Sequence, residues 1–157
     1  MDKIVGIGGI AISDTMGDRI KTYSLASCVA VTAYCPAKHT AGMIHVALPE
    51  HTKQKDWRNQ PPCYYATLGV PLLIHQMCVK YKCPKETLEI ELFGGADSIK
   101  QNDMFRIGTE NVNAVIEMLK QMDIKYLADE VGGTNSRTLE LDVATGGKMI
   151  QLQPLII

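Results

Sequence analysis

Cys28-Val-Ala-Val-Thr-Ala-Tyr34 is apolar almost throughout, and Met43-Ile-His-Val-Ala-Leu48 follows it after a short polar break. An apolar run of this length reads as a strand buried on both faces, which makes residues 28–34 the centre of a sheet. In the second run, the two-residue alternation of a strand sets Met43, His45 and Ala47 on one face and Ile44, Val46 and Leu48 on the other. His45 thus projects away from the Ile/Val/Leu face. One strand opens on a thiol and its neighbour carries an imidazole, so Cys28 and His45 can meet across a sheet.

Working outward, residues 3–7 and 10–12 are short β-rich pieces interrupted by Gly6, Gly8 and Gly9, a pattern of bulges or close backbone approach. Gly6-Ile-Gly8-Gly-Ile-Ala11 matches a dinucleotide-binding fingerprint by letter, but no helix opens after it, so the strand–turn–helix context is missing. Residues 24–27, Ser-Leu-Ala-Ser, are small and polar enough for a turn. Residues 50–62 are polar, end in Pro61-Pro62 and form a long connection, a candidate lid. Residues 65–82 carry helical spacing, with Pro71 confined to the first turn or kinking the helix. Residues 87–93 alternate Leu88, Ile90 and Leu92 against Glu89 and Glu91 and stop at Gly94-Gly95. Val112, Val115, Ile116, Leu119 and Met122 form a 3.6-period stripe that predicts a helix over 109–122. Strands are predicted at 124–128, 138–143 and 148–152, the last two joined by a hairpin-length turn. This order lacks regular βαβ alternation. It predicts an α+β fold, a layered sandwich with mainly antiparallel or mixed sheets and two principal helices, in one domain over residues 1–157.

The composition, 46% hydrophobic and 21% charged over 157 residues, suits a single globular core. Lys and Arg number 16 against 17 Asp and Glu, with no basic block, which argues against a nucleic-acid partner. No apolar stretch approaches the roughly 20 residues of a membrane span, and residues 1–9 do not resemble a signal peptide, so the expected location is the cytoplasm without membrane insertion. The 5 cysteines show no disulfide-framework spacing. Cys63, His75, Cys78 and Cys83 form a loose metal-like group without the tight pairs of a zinc site, and no metal or other cofactor is expected.

A thiol becomes a competent nucleophile when a neighbouring base takes its proton, and histidine is the side chain best suited to take and return it. The plain alternative for Cys28 is a buried strand cysteine. Its place where a turn meets a strand counts the other way, because such a boundary leaves backbone N–H groups, near Ser27 and of Cys28 itself, free to hold an oxyanion. The plain alternative for His45 is a core histidine with one hydrogen bond. A catalytic imidazole also needs a group to orient it. No Asp or Glu stands near as a third member, which leaves the hydroxyl of Thr22 as the candidate.

Thr22-x5-Cys28-Val-Ala-Val, Gly42-x2-His45-x2-Leu48-Pro49, Phe93-Gly-Gly-Ala96, Ile107-Gly108-x2-Asn111 and Gly132-Gly133-x3-Arg137 run in order along nearly the whole chain. In this the sequence resembles the chemoreceptor glutamine deamidases, the CheD family. The resemblance places the family's catalytic Thr, Cys and His on Thr22, Cys28 and His45. It implies a cytoplasmic enzyme with a toxin-deamidase-like, cysteine-hydrolase fold. That enzyme hydrolyses glutamine side chains of methyl-accepting chemotaxis receptors to glutamate, releases ammonia, and binds a CheC-type phosphatase. Gly94 and Gly95, with Gly132 and Gly133, are expected to allow close backbone approach at the substrate mouth. Where the family usually has glycine before the Ser-Cys pair, this chain has Ala26, a strained choice if the position requires positive φ. Two other classes stand against this reading: a non-catalytic adaptor that docks receptor or phosphatase, and a cysteine amidase or esterase for a small molecule.

Overall fold

The computed structural model describes residues 1–98 and 106–155. Its elements are β1 (Asp2–Ile4), β2 (Ile10–Ser13), β3 (Arg19–Leu25), β4 (Val29–Cys35), β5 (Thr40–Val46), α1 (Ala66–His75), β6 (Glu89–Gly94), α2 (Ile107–Gln121), β7 (Leu127–Val131), β8 (Asn135–Asp142) and β9 (Lys148–Pro154). They form a 4-stranded sheet of order β1-β3-β8-β9 and a 5-stranded sheet of order β2-β5-β4-β6-β7. Both sheets are mixed: β1/β3 and β6/β7 are parallel, the other pairs antiparallel.

β4 lies at the centre of the larger sheet and is buried along its whole length. Its alternate residues face different cores, which explains the unbroken apolar run. Val29, Val31 and Ala33, with Ile44 and Val46 of β5, pack against Val70 and Leu73 of α1 and Val115 and Leu119 of α2. Ala30 and Tyr34, with Met43 and Phe93, meet Ile20, Leu25, Leu139 and Leu141 of the smaller sheet. The layers therefore run helices, larger sheet, smaller sheet, an α+β sandwich with two α-helices as the sequence implied. The outer face of the smaller sheet stays exposed at Tyr23 and Met149 and carries Lys21 between Asp2 and Glu140 at 3.0 and 2.9 Å.

Several local expectations are corrected. Ser24 and Leu25 belong to β3 rather than to a turn; the strand survives because its register shifts between Thr22 and Leu25 and Ser24 adopts φ 56°. The strand expected at 124–128 is β7, shifted to Leu127–Val131 and paired parallel to β6. Pro71 lies inside α1, beyond its first turn, and the helix passes into a π-turn at Gln76–Lys80. Residues 50–62 contain short 3₁₀ turns at His51–Lys53 and Trp57–Asn59. His51 ties this segment to α1 through Thr67 Oγ1 at 2.8 Å and packs edge-on against Trp57.

Candidate functional site

His45 is placed by β5 and Cys28 by the residue that precedes β4. His45 lies directly opposite Ala30, and Val46 opposite Val29. The next step of that register sets Cys28 against Ala47, where the strands part. Cys28 is thus the diagonal neighbour of His45 on the same face, a backbone spacing of about 7–8 Å that two side chains can close. That face looks into the space between the sheets: Met43 and Cys28 pack against the inter-sheet core, whereas Ile44 and Val46 face the helices. The alternation read from the sequence is the observed one.

Across that space β3 presents Thr22, fully buried. Its Oγ1 lies 2.7 Å from His45 Nδ1 and 2.7 Å from the carbonyl oxygen of Val5. A hydroxyl has one proton, and a carbonyl can only accept, so that proton goes to Val5 and Oγ1 accepts from Nδ1–H. This assigns the tautomer: Nδ1 is protonated and Nε2 carries the free lone pair. Nε2 is buried with no hydrogen-bond partner among the described residues. The glycine segment between β1 and β2 completes the mount, with Gly8 N–H donating to His45 O at 2.8 Å and His45 N–H to Gly9 O at 3.2 Å. The string that mimics a nucleotide-binding loop serves here to hold the histidine strand.

Burial in this apolar interior pushes the His45 pKa down to about 4, and burial also pushes the Cys28 thiol up. At neutral pH the resting pair is therefore neutral thiol and neutral imidazole. A pair in this state can work chemically only through general base catalysis, in which Nε2 would take the thiol proton as the sulfur attacked.

The backbone around Cys28 is fixed from the opposite side. Gly95 N–H donates to Cys28 O at 2.8 Å, Ala96 N–H to Ala26 O at 2.7 Å, and Asn111 Nδ2 of α2 to Ser27 O at 2.9 Å and Ala47 O at 3.0 Å. Among the described residues, neither the Ser27 nor the Cys28 N–H donates to a backbone carbonyl. Ala26 is not among the residues with positive φ, so the alanine carries none of the strain its position suggested.

Cys28, His45, Thr22 and Ser27 are thus drawn to one end of the sandwich. Gly94 and Gly95 adjoin them, but the neighbours that exclude a Cβ there are the chain's own: the Cys28 carbonyl at Gly94, and Val112 and the Gly108 carbonyl at Gly95. Gly132 and Gly133 face open space, while Gly132 N–H donates to Gly94 O at 2.8 Å and Asp97 N–H to Gly133 O at 3.0 Å. Arg137 Nη2 donates to Gly132 O at 3.0 Å, and its Nε and Nη1 are buried with no partner among the described residues. Two contributors were missed. Val5 acts through its backbone, which leaves no trace in residue type. Asn111 was noted only as part of a block, although it falls on the same helical stripe as Val115 and Leu119, where a polar residue signals a buried partner.

A family model described as CheD chemotactic sensory transduction matches residues 47–152, beginning just beyond His45. The chain is similar to a probable chemoreceptor glutamine deamidase CheD of Syntrophotalea carbinolica, 44% identical over 147 residues that cover 92% of this chain and 90% of that protein. A chemoreceptor glutamine deamidase CheD of Thermotoga maritima is 35% identical over 96% of this chain and 92% of its own. Among solved structures, the hypothetical protein YfiH of Bacillus licheniformis aligns with a TM-score of 0.51 at 9% identity, covering 78% of this chain and 51% of that one, a likeness of fold alone. The family-model match and the near-full-length relatives agree with the blocks found in the sequence, and the chain belongs to the CheD family.

Proposed function

We propose that this chain is a protein-glutamine deamidase that converts glutamine side chains of chemotaxis receptors to glutamate, with Cys28 as nucleophile and His45 as general base and acid. The observation that carries the reading is the chain Val5 O, Thr22 Oγ1, His45 Nδ1, which leaves an unprotonated Nε2, without a partner among the described residues, on the face that Cys28 shares. His45 Nε2 takes the thiol proton as Sγ bonds to the carboxamide carbon. The C–N bond then breaks, the proton passes to the departing nitrogen, and ammonia leaves behind a thioester. Water loses a proton to Nε2 and attacks the thioester, and Cys28 recovers its proton as glutamate is released. The backbone N–H groups of Ser27 and Cys28, which among the described residues donate to no backbone carbonyl, stabilise the oxyanion of both tetrahedral intermediates.

No cofactor is needed for these steps. Residues 1–157 act as one domain, and the glycines at 94 and 95 serve the site by letting the chain pack closely behind Cys28, whose carbonyl oxygen excludes a Cβ at Gly94. Among the described residues no helix is long and apolar enough to cross a membrane. On this reading the protein acts in the cytoplasm, and a CheC-type phosphatase is a second partner suggested by the family resemblance. Each turnover places a carboxylate where a receptor helix had a neutral amide, altering the electrostatics between helices.

The test is ammonia release from a purified receptor cytoplasmic fragment, with glutamine-to-glutamate conversion located by mass spectrometry. Wild-type protein is expected to release ammonia and Cys28→Ala to release none. Equal rates from the two proteins would sink the mechanism, and no conversion by either would favour an adaptor that keeps Cys28 for packing.

A further inference from the structure

Asn111 is fully buried on the inner stripe of α2, and its amide nitrogen donates to Ser27 O at 2.9 Å and Ala47 O at 3.0 Å. Two carbonyl acceptors settle which end of the amide is which, because only the NH2 can face them. The other end, Oδ1, is left buried without a partner among the described residues. An apolar residue would fit the stripe without that cost, so the reason for asparagine lies in the two carbonyls it reaches.

Those carbonyls sit where β4 and β5 part. Ala47 extends the strand that carries His45, and Ser27 precedes Cys28. The Ser27 carbonyl and the Cys28 N–H are the two ends of one peptide group. No peptide bond in the described chain is cis, so the C=O and N–H of that group point in opposite directions. With the carbonyl held toward α2, the Cys28 N–H is turned away from the helix layer. A hydrogen bond to the carbonyl also polarises the peptide and strengthens its N–H as a donor.

We propose that Asn111 is a positioning residue for catalysis: by holding Ser27 O and Ala47 O together, it aims the Cys28 N–H as the oxyanion donor and sets the nucleophile loop against the His45 strand. This rests on the deamidase reading above and deepens it. Asn111 touches no reacting atom and acts through the Ser27–Cys28 peptide.

An oxyanion donor works in the transition state more than in substrate binding, and loss of one such donor costs on the order of 10²–10³ in kcat. Misdirecting the donor should cost part of that. The experiment compares wild type, Asn111→Ala and Asn111→Ser for ammonia release from a purified receptor fragment, and for alkylation of Cys28 by iodoacetamide, a reaction that forms no oxyanion. The expected result is a fall in kcat of about 10- to 100-fold in Asn111→Ala with KM little changed and the Cys28 alkylation rate within about twofold of wild type. Asn111→Ser, which keeps one donor, should fall between, and it decides alone if the alanine variant does not fold. Unchanged kcat, or a parallel loss of kcat and of alkylation, overturns the proposal. Cys28→Ala in the same assay separates the two levels: if it is inactive while the Asn111 variants are fully active, the deamidase mechanism stands and the role of Asn111 falls.

Discussion

Thr22 Oγ1 and His45 Nδ1 lie 2.7 Å apart across the interface of the two sheets, one residue from each. In the proposed mechanism this bond does the work usually given to a carboxylate, with one difference. A hydroxyl holds the ring and its tautomer without a negative charge, so it does nothing to raise the affinity of the imidazole for a proton. In an apolar interior this leaves a base that stays neutral far below the usual histidine range. The arrangement depends on the sandwich itself, because separating the sheets would remove the orienter from the base.

Thr22→Val keeps the shape and removes the hydroxyl, orphaning both His45 Nδ1–H and Val5 O. Two buried groups without partners should cost about 1–3 kcal/mol of stability in urea unfolding. Loss of the orienting bond should lower kcat about 10- to 100-fold. Thr22→Ser should retain most of both. A fully active valine variant would show that ring orientation does not depend on Thr22.

The low His45 pKa makes a prediction with a definite sign. The unfolded histidine titrates near 6.5 and the folded one near 4, so between these values the unfolded chain binds the extra proton. The contribution to stability is complete above pH 6.5 and is lost as pH falls toward 4, about 3 kcal/mol in all. The acid limb of kcat/KM should likewise lie near 4, measurable as ammonia release from a receptor fragment. A limb at 6.5 would mean that His45 is solvated or paired in a way this fold does not provide.

Residue faces and element types were legible where burial imposes a period. The doubly buried β4, the face of His45 and the α2 stripe all follow from side chains repeating at 2.0 or 3.6 residues. β3 was not legible because the shift between Thr22 and Leu25 breaks its alternation and because Thr22 is a polar residue facing inward. The bond from Thr22 to His45 joins residues in different sheets, and no local pattern specifies how two sheets superpose. Val5 contributes only a carbonyl. The Ala26 concern was decided by a backbone angle: the left-handed residue of this segment is Ser24, so Ala26→Gly should bring no gain and should lose about 0.4–1 kcal/mol through the unfolded chain.

Burial holds the Cys28 thiol above the usual cysteine range, and among the described residues no charge offsets it. Alkylation by iodoacetamide, mapped to Cys28 by mass spectrometry, should therefore be slower at pH 7 than for a free thiol and should keep rising through the pH range where ordinary cysteines level off. Cys63, fully buried and pushed up to about 12, provides an internal reference that should react more slowly still. Full reactivity of Cys28 at pH 6 would instead indicate a preformed thiolate–imidazolium pair, and with it a different first step.

Gly94 and Gly132 both have positive φ, 100° and 80°, and are joined by the Gly132 N–H to Gly94 O bond at 2.8 Å, yet their surroundings differ. A Cβ at Gly94 would collide with the Cys28 carbonyl oxygen and crowd Leu25, so the backbone of Cys28 must move to admit it. A Cβ at Gly132 would meet nothing within 4 Å. Gly94→Ala should therefore lose stability through backbone strain of about 1–3 kcal/mol and lose at least about tenfold in kcat as Cys28 is displaced. Gly132→Ala should suffer only the conformational cost, of order 1 kcal/mol, with kcat unchanged. Thermal melting and ammonia release measured on the two variants give the comparison. Equal losses of activity would assign the glycines to substrate approach, whereas loss at Gly94 alone assigns that glycine to the packing that seats the nucleophile.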